Sequence, residues 1–488
     1  MRRYIKRKAL NWVSTMYRAH QAVEKVIAEK RFQLAYDLLV EMQRGAIANG
    51  TLLDETGEAD SIVREMESFC ELVWQISEVM QQKNVTKLCA GLKGKIKRIE
   101  TKLKNEVTES KLEVVFLPYK SSMWDSLESI WREASKDEEC NSYVVPIPYY
   151  SRNDKGQMEQ FCYEGKDFPE DVPIIDYQTF DLEELHPDII FFHNPFDEYN
   201  RVTSVDPMYY SSKIKNFTGL LVYVPYGISG TFENLEGNRQ QWASFPGVAY
   251  SDKIIVQSKE MKKIILSKNA PESKLMLLGS PKLDAAVCCE EKYKVEKEEN
   301  KTVFLLNTTI GTLLSFREKW FDYVENIITI FEQQSDLQLI WRPHPLLKDT
   351  VCSMLPEFLD KYNKLIQKVH NMNNIVIDNN PDVYPSFVQS DAMISDYSSL
   401  MLQYVATGKP ILNTQECSED KKKKAVVAFD YFSNYFVNDG MTYENFIQMV
   451  KENRDEKKEE RIQAMRRSMI NSDGTAGKKI YQECKKIM

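Results

Sequence analysis

The chain has 488 residues, of which 43% are hydrophobic and 28% are charged, and its formal net charge is −8. At about 100–200 residues per domain, this length predicts two to four domains, and the hydrophobic content is enough for more than one core. An acidic chain lacks the basic face that general nucleic-acid binding requires, so nucleic acid is not expected as a partner.

The cysteine pattern and the hydropathy favour a cytoplasmic protein. Nine scattered cysteines include no CxxC pair, so neither a zinc site nor a disulfide framework is predicted. Residues 1–8 are basic, but no apolar run of signal-peptide length follows them. The longest uncharged stretch, residues 217–232, contains Pro225 and three glycines and is too short to span a bilayer. Any contact with a membrane would therefore be at its surface.

Residues 1–108 are predicted to be helical. Apolar residues recur at helical spacing through the first segment, through residues 33–47 and through residues 60–82. Asn49-Gly50 is interpreted as the turn between the second and third segments.

This helical region is also strongly basic. Residues 1–32 carry nine Lys or Arg against two Glu, and residues 83–104 carry eight against one. Two interpretations stay open. A basic amphipathic helix with Tyr4, Trp12 and Tyr17 could dock on the anionic inner face of the plasma membrane. Alternatively, the helices form a solvated bundle that packs on the rest of the chain or dimerises.

Short apolar runs then alternate with helix-length polar segments, which is typical of parallel sheets with crossover helices. The pattern predicts a first α/β lobe over residues 109–289, a charged linker over 290–301, a second α/β lobe over 302–455 and C-terminal helices over 456–488. The fold class is thus α/β, with two facing Rossmann-like lobes after a helical region. Ligands of such folds bind at the carboxyl ends of the strands, in the cleft.

The segment 391–412 places a strand, two serines and a helix in succession. Ser398 is a good N-cap, so Ser398 and Ser399 are predicted at a helix N-terminus, where free N–H groups attract phosphate. The alternative is an ordinary serine cap. Gly408 is predicted to end the helix and Pro410 to start the next strand.

A second motif, Arg342-Pro343-His344-Pro345, follows an apolar strand. The two prolines stiffen the loop, the guanidinium matches phosphate, and the imidazole can act as acid, base or phosphate donor near neutral pH. A lone histidine is more often structural, but its place beside Arg342 at the sheet's edge favours a functional role.

Two weaker motifs lie in the first lobe. The run 279–284, GSPKLD, brings Gly279, a cation at Lys282 and a carboxylate at Asp284 to the hinge side of the cleft, although Gly-Ser-Pro is also a common turn. Tyr226-Gly227 follows another strand and is interpreted either as facing the acceptor or as a tyrosine buried at a tight turn.

Several motifs are absent from the sequence. No two aspartates lie two residues apart, and neither GxxxxGK[ST] nor GxGxxG occurs. His193, His20, His186 and His370 show no metal-ligand spacing. We therefore expect neither a metal nor another cofactor, and kinase and dehydrogenase functions are disfavoured.

Taken together, G-x-P-K-x-D (279–284), R-P-H-P (342–345) and S-D-Y-S-S followed by G-K-P (395–410) resemble the CDP-glycerol glycerophosphotransferases of teichoic-acid synthesis. The order and spacing agree over about residues 110–455. The resemblance implies a GT-B-like enzyme that transfers glycerol phosphate from CDP-glycerol to a polyol-phosphate or lipid-linked acceptor at the inner membrane face, with oligomerisation left open.

The resemblance also implies roles for individual residues. Catalysis would involve His344, Tyr226 and Asp284. The residues implied in donor binding are Gly279, Lys282, Thr308, Arg342, His344, Asp396, Ser398, Ser399 and Gln403.

This chain departs from the family pattern at three places. Tyr226 replaces the usual His of a His-Gly pair, and a phenol with a pKa of about 10 is a poor base at neutral pH. Asn307-Thr308-Thr309-Ile310 keeps only the Thr of Pro-Thr-Trp-Arg, and Gln403 stands where an acidic residue is usual. Two alternatives therefore stay open: a GT-B glycosyltransferase or epimerase that uses a UDP-sugar, and a nucleotide-binding scaffold with impaired catalysis.

Overall fold

The structure, a computed structural model, divides into two compact units. One comprises residues 1–113, 138–141 and 186–188, and the other comprises the rest. The residues described are 1–82, 84–108, 110–153, 155–200, 202–228, 245–266, 270–295, 297, 300–396, 398–414, 435–437 and 440–488. Tyr397, Cys417 and parts of the predicted linker and of the 217–232 stretch lie outside them.

The first unit is built on four helices, because each segment repeats apolar residues at a spacing of three or four and buries that face. Trp12 packs edge-on against Phe69, with ring centroids 5.6 Å apart, within one shared core. The predicted helical N-terminal region is confirmed. The helices are α1 (Arg3–Ala28), α2 (Phe32–Asp54), α3 (Asp60–Val79) and α4 (Val85–Asn105).

The predicted turn at Asn49-Gly50 is wrong, because α2 continues through both residues to Asp54. Asn49 Nδ2 donates to the Gly45 carbonyl oxygen at 2.9 Å, within the helix. Gly50 is buried, and a Cβ there would lie 3.8 Å from the Met66 sulfur. That distance is an ordinary van der Waals contact, so an alanine would fit there, and Gly50 is an interior residue of α2 rather than part of a turn.

The apolar face of α1 is buried within the bundle. Trp12 and Met16 belong to its core, and the Tyr17 hydroxyl donates to Glu100 Oε2 at 2.8 Å. A lipid surface could therefore meet the charged side of α1 but not its apolar side. No helix among the described residues is long and apolar enough to cross a bilayer.

The first α/β lobe contains a six-stranded sheet in the order β2-β1-β5-β7-β8-β9, with parallel pairing from β1 to β9. Its central strands β1, β5 and β7 are short apolar runs buried on both faces, as the sequence predicted, while β2 and β9 are only partly buried. The strands of this sheet are β1 (Leu112–Leu117), β2 (Cys140–Val144), β5 (Ile189–Phe192), β7 (Leu220–Tyr223), β8 (Lys253–Val256) and β9 (Leu275–Leu277). The helices are α5 (Glu128–Lys136), α6 (Leu182–Leu185), α7 (Ser211–Ile214), α8 (Pro246–Tyr250), α9 (Lys259–Leu266), α10 (Pro281–Val287) and α11 (Cys289–Lys292).

A small antiparallel sheet in the same lobe is not predicted by the sequence pattern. It comprises β3 (Tyr149–Arg152), β4 (Met158–Cys162) and β6 (Thr203–Val205), in the order β4-β3-β6. The apolar run at 172–177, in contrast, forms only an isolated bridge between Ile174 and Val144.

The second α/β lobe has a parallel six-stranded sheet in the order β12-β11-β10-β13-β14-β15. The alternating apolar runs on which this lobe was predicted form its first five strands. The strands are β10 (Thr302–Thr308), β11 (Leu337–Pro343), β12 (Ile375–Ile377), β13 (Ala392–Ser395), β14 (Ile411–Asn413) and β15 (Tyr435–Phe436). The helices are α12 (Ile310–Phe316), α13 (Glu318–Glu332), α14 (Leu347–Met354), α15 (Leu359–His370), α16 (Tyr384–Gln389), α17 (Ser399–Tyr404) and α18 (Tyr443–Lys451).

Two C-terminal helices follow, α19 (Lys458–Ser468) and α20 (Ala476–Ile487). The last one packs on α5, so the end of the chain returns to the first lobe. The Tyr481 hydroxyl and the Lys485 ammonium both contact Asp137, at 2.7 and 2.6 Å. The two-lobed α/β class is confirmed, and the exact domain boundaries stay predictions.

Candidate functional site

The carboxyl edge of the second sheet brings two separate motifs together. In the strand register, Asn307 of β10 lies opposite Arg342 of β11 on one side and Ser395 of β13 on the other. The next residue, Thr308, lies opposite Pro343. Three neighbouring strands therefore end at one place, and their loops carry the residues predicted to bind phosphate.

Ser398 is the N-cap of α17, as predicted. Its Oγ accepts hydrogen bonds from the Met401 N–H at 3.1 Å and from Asn307 Nδ2 at 2.9 Å. A hydroxyl has two acceptor positions and one proton, so both acceptor positions are filled and the proton is left to donate. Asn307 Nδ2 also donates to Ser395 Oγ at 2.9 Å, which fixes the amide. Ser398 is thereby oriented as a hydrogen-bond donor.

Asp396 holds the turn after β10 in place. Its Oδ2 accepts from both the N–H and the hydroxyl of Thr309, each at 2.9 Å, and Thr309 in turn caps α12. The other oxygen, Oδ1, is buried and has no hydrogen-bond partner among the residues that the structure describes. Burial raises the pKa of Asp396, since desolvation disfavours the charged carboxylate.

Arg342 supports the neighbouring loop. One guanidinium nitrogen pairs with Asp378 Oδ2 at 2.5 Å and another donates to the Asn380 carbonyl oxygen. Asp378 also accepts from the Ser386 hydroxyl at 2.5 Å, which links the loop to α16. The guanidinium thus has partners within the chain, and its predicted contact with a donor phosphate would add to them.

His344 is exposed at the end of β11, and its ring is held in one tautomer. The backbone N–H of His344 donates to the Thr308 carbonyl oxygen at 3.0 Å. The Leu346 N–H points at Nδ1 at 3.2 Å, so Nδ1 is the acceptor and the ring proton lies on Nε2. Desolvation lowers the pKa of His344 from its ordinary value, so the ring is neutral at pH 7. His344 can therefore donate through Nε2 without carrying charge.

Gly279 and Lys282 lie where the chain leaves β9 and enters α10. Gly279 has a φ of 95°, and a Cβ there would lie 2.2 Å from the Ile470 carbonyl oxygen, so glycine is required. Lys282 is buried, and its Nζ contacts both oxygens of Asp125 at 2.7 and 2.6 Å. Tyr384 of α16 donates to the same Asp125 at 2.7 Å. Lys282 is therefore engaged in an ion pair within the first lobe, and Tyr384 of the second lobe hydrogen-bonds to the same carboxylate.

Asp284 anchors the last helix. Its oxygens accept from the N–H groups of Ala476 and Gly477, at 3.1 and 2.7 Å, and from the Ser129 hydroxyl at 2.9 Å. Burial raises the pKa of Asp284 to about 6, against the lowering effect of these hydrogen bonds. These contacts give the carboxylate a structural role at the N-terminus of α20, and a catalytic role stays a prediction.

Tyr226 lies at the end of β7, half-buried, beside a histidine that the motif analysis did not assign. The rings of Tyr226 and His193 meet edge-on with centroids 6.2 Å apart. Burial raises the pKa of Tyr226, so its phenol stays protonated and can donate a hydrogen bond but is not a base.

His193 is fully buried, and both of its ring nitrogens have hydrogen-bond partners within the lobe. Its Nε2 accepts from the Tyr119 N–H at 3.2 Å, and Nδ1 lies 2.9 Å from Ser126 Oγ. Burial, followed by the charge of Lys282, lowers its pKa to about 3. His193 is therefore neutral and shapes the wall behind Tyr226. A lone histidine after a strand is too weak a signal to reveal this from sequence.

The other predicted donor-binding residues are spread over the same edge and the helix behind it. Thr308 is buried, and its hydroxyl accepts from Trp341 Nε1 at 3.2 Å. Ser399 is exposed. Gln403 is buried in α17, and its Oε1 has no partner among the described residues. The described part of the chain contains no cluster of three potential metal ligands.

Comparison with known proteins identifies a family that this chain matches. The sequence model of the CDP-glycerol:poly(glycerophosphate) glycerophosphotransferases matches residues 234–486, a little over half of the chain. No match is found among curated protein sequences.

Among solved structures, a variant of the wall teichoic acid polymerase TagF aligns with a TM-score of 0.50 and 14% identity, over 88% of this chain and 98% of that one. A putative UDP-N-acetylglucosamine 2-epimerase from Listeria monocytogenes aligns with a TM-score of 0.48 and 15% identity, over 78% and 97% of the two chains. The UDP-GlcNAc 2-epimerase of Neisseria meningitidis gives 0.47 and 14%, over 77% and 100%. At these identities the similarity shows the fold alone.

Proposed function

This chain belongs to the CDP-glycerol:poly(glycerophosphate) glycerophosphotransferase family, and on that premise we propose that it extends or primes a teichoic-acid-type polymer from CDP-glycerol. The resemblance inferred from the three motifs is confirmed at the level of the family. The observation that carries the proposal is the carboxyl edge of the second sheet, where Ser398 and His344 each present a donor proton.

The proposed reaction is a substitution at phosphorus. An acceptor hydroxyl attacks the phosphorus that carries glycerol, a new O–P bond forms, and the bond to the bridging diphosphate oxygen breaks. CMP leaves with the bridging oxygen, and the acceptor's proton passes to solvent or a base. Positioning and stabilisation of charge on the leaving CMP would supply most of the rate enhancement.

The two donors suit the phosphates of such a substrate. The Ser398 hydroxyl and His344 Nε2–H would donate to diphosphate oxygens, and Arg342 would hold the intervening loop in position while adding positive charge. Hydrogen bonds from neutral donors to a charged phosphate are stronger than those between neutral groups. The family's histidine is Tyr226 here, and a protonated phenol would orient the acceptor or donor phosphate rather than remove a proton.

The acceptor and the cellular location also belong to this proposal. A polyol-phosphate or lipid-linked acceptor is what a polymerase or primase of this family would require, and it would be met at the inner face of the plasma membrane. Since the apolar face of α1 is buried in the bundle, attachment there would be electrostatic.

Calorimetric titration with CDP-glycerol, CDP-ribitol and UDP-GlcNAc, each with and without EDTA, tests the donor. We expect binding of a CDP-polyol that EDTA does not weaken, followed by CMP release when a glycerol-phosphate acceptor is added. Binding of UDP-GlcNAc alone would move the chain to the sugar-nucleotide enzymes. Tight CDP-glycerol binding without CMP release on any acceptor would favour the impaired scaffold.

A further inference from the structure

Charge in the helical unit is strongly polarised between pairs of helices. α4 carries seven Lys or Arg against one Glu, and α1 carries six against one. α2 carries one against three acidic residues, and α3 carries one against five. Because α1 packs against α4 and α2 packs against α3, the positive charge collects on one side of the bundle.

The exposed face of α4 has small residues along its middle and lysines on either side. At 100° per residue, Ala90, Thr101 and Gly94 fall within one narrow sector, opposite the buried residues Leu92, Ile96 and Leu103. Lys97 and Lys93 follow on one side of that sector, and Lys87 on the other. We call the six residues Lys87, Ala90, Lys93, Gly94, Lys97 and Thr101 the α4 track.

Among the residues that the structure describes, none of the three lysines of the track forms a direct salt bridge, and Lys97 acts on Glu100 only through a longer-range charge interaction. Their neighbours in α4 are different, because Lys95 pairs with Glu65 at 2.9 Å, Lys102 with Glu106 at 3.2 Å and Lys104 with Glu100 at 2.6 Å. Unpaired exposed cations in a row are the electrostatic footprint expected of a surface that meets a polyanion.

Packing does not account for the glycine in the track. Apart from its chain neighbours and the nearby backbone of α4 itself, no described atom lies within 4 Å of the position that a Cβ of Gly94 would take, and its φ is not left-handed. Glycine is, after proline, the least favourable residue for a helix interior. Because the small residues leave an open floor between the lysines, that is, a strip of helix surface without long side chains, a chain of phosphates can approach the helix closely. A longer side chain at Gly94 would prevent this.

These features favour a linear polyanion over a lipid surface. Helices that dock on lipid pair their cations with exposed Trp, Phe or Leu. The structure describes every residue of α1 and α4, and neither helix has an exposed large hydrophobic side chain. From Lys87 to Lys97 the helix rises about 15 Å, so several phosphates of one chain could be contacted together.

We propose that the α4 track binds the poly(glycerol phosphate) acceptor along its length, as a holding site separate from the residues at the sheet edge. This rests on the proposed function for the identity of the polymer. The polymer carries one negative charge per repeat and no bulky side group, which fits a narrow floor with cations at its sides.

The first test compares two triple variants of equal charge change. Lys87→Gln, Lys93→Gln and Lys97→Gln remove the track's charge, while Arg31→Gln, Arg44→Gln and Arg64→Gln remove three exposed cations elsewhere in the bundle. Fluorescence anisotropy with end-labelled poly(glycerol phosphate) is measured over a range of salt. By analogy with single-stranded polyphosphates, the slope of log K against log salt should flatten by about two in the track variant only. Equal weakening in both variants would overturn the proposal.

A second variant separates the track from general electrostatics. Gly94→Gln leaves the charge unchanged and should not disturb folding, which circular dichroism verifies. Reduced polymer binding is expected, and unchanged binding would contradict a track with an open floor. If the track variant lost binding to phosphatidylglycerol vesicles but kept polymer binding, the partner would be lipid. If it lost only self-association in sedimentation, the partner would be a second copy.

The binding assay needs no donor, so it stands apart from the proposed reaction. Turnover of CDP-glycerol is measured in parallel with an acceptor of one repeat, which can engage only one lysine. We expect the track variant to keep its rate on that acceptor and to show a raised KM on long polymer. Failure of all turnover with intact polymer binding would count against the reaction and not against the track.

Discussion

The proton of Ser398 is directed by its neighbours, not by its own identity. Many serines cap helices, and a capping serine alone says little about ligands. Here the second acceptor position is filled by Asn307 from an adjacent strand, so the hydroxyl can only donate outwards. This distinguishes Ser398 from Ser399, which is exposed and does not cap α17.

Replacing Ser398 by alanine should therefore weaken CDP-glycerol binding by about 1–3 kcal/mol, on the scale of a lost hydrogen bond to a charged group. Calorimetric titration measures the change. Ser399→Ala is the matched control and should have the smaller effect, and the double variant should resemble Ser398→Ala. Unchanged affinity in the double variant would remove the phosphate-binding role from this helix end.

His344 should act through its Nε2 proton. His344→Ala should lower kcat by a factor of about 10²–10⁴, the range of acid–base and donor groups. His344→Gln can place an amide N–H near the Nε2 position and should retain more activity than His344→Asn. If glutamine and asparagine were equally inactive, a hydrogen-bond donor at Nε2 would not be sufficient.

The expected pH dependence of turnover follows from the protonation of the His344 ring. Since the pKa of His344 is lowered, the neutral form that accepts from Leu346 persists at pH 7 and is lost only below the ordinary histidine range. Turnover should therefore be level around pH 7 and should fall on the acid side. A rate that rises as the pH drops below 6.5 would show that the protonated ring is the active form.

At the scale of elements, sequence periodicity predicted the helices and strands that depend on nearby residues. It did not predict features that depend on contacts between residues far apart in the chain. The apolar runs of β1, β10 and β11, six, seven and seven residues long, can be recognised in the sequence because parallel strands are buried on both faces. Strand β4 (Met158–Cys162) is largely exposed, and its apolar residues do not alternate regularly with polar ones, so no hydrophobic pattern marks it. Asn49-Gly50 has the composition of a turn, but α2 continues through both residues and Gly50 is buried within the bundle.

The docking of α20 is another feature that sequence spacing cannot reveal. Asp284 and Ala476 are far apart in the chain, and the motif around Asp284 suggested catalysis rather than a helix anchor. The structure shows that the carboxylate satisfies the first N–H groups of α20, which otherwise lack partners. A role in the reaction would have to be compatible with those hydrogen bonds.

Asp284→Ala should release the start of α20. Three buried donors would lose their acceptor, at a cost of about 3 kcal/mol. Hydrogen exchange of residues 476–487 should accelerate and the melting temperature should fall. Because burial raises the folded pKa to about 6 from an ordinary 3.8, the charged form is disfavoured, and stability should decline as pH rises from about 4 to 6. Asp284→Asn cannot ionise and should lack that decline.

At the scale of the whole molecule, the two α/β lobes share a buried polar contact. Asp125 lies after β1, Lys282 lies in α10 and Tyr384 lies in α16, and the carboxylate of Asp125 accepts from both of the others. The motif analysis assigned Lys282 to the donor. Its aliphatic stem and charge are instead enclosed, with only 11% of the side chain exposed, as for Asp125.

The enclosed pair predicts an asymmetric response to mutation. Asp125→Ala leaves the Lys282 ammonium buried without its counter-charge, which should destabilise the α/β unit by about 3–5 kcal/mol. Tyr384→Phe removes only one hydrogen bond and should cost about 1 kcal/mol. Calorimetry measures both, and Asp360→Ala, which breaks the exposed pair with Lys364, is the control expected to change little.

The double variant Asp125→Leu with Lys282→Met should recover most of the loss, since it removes both charges and keeps the volume. If the double variant were as unstable as Asp125→Ala, the cost would arise from packing and not from the loss of the ion pair.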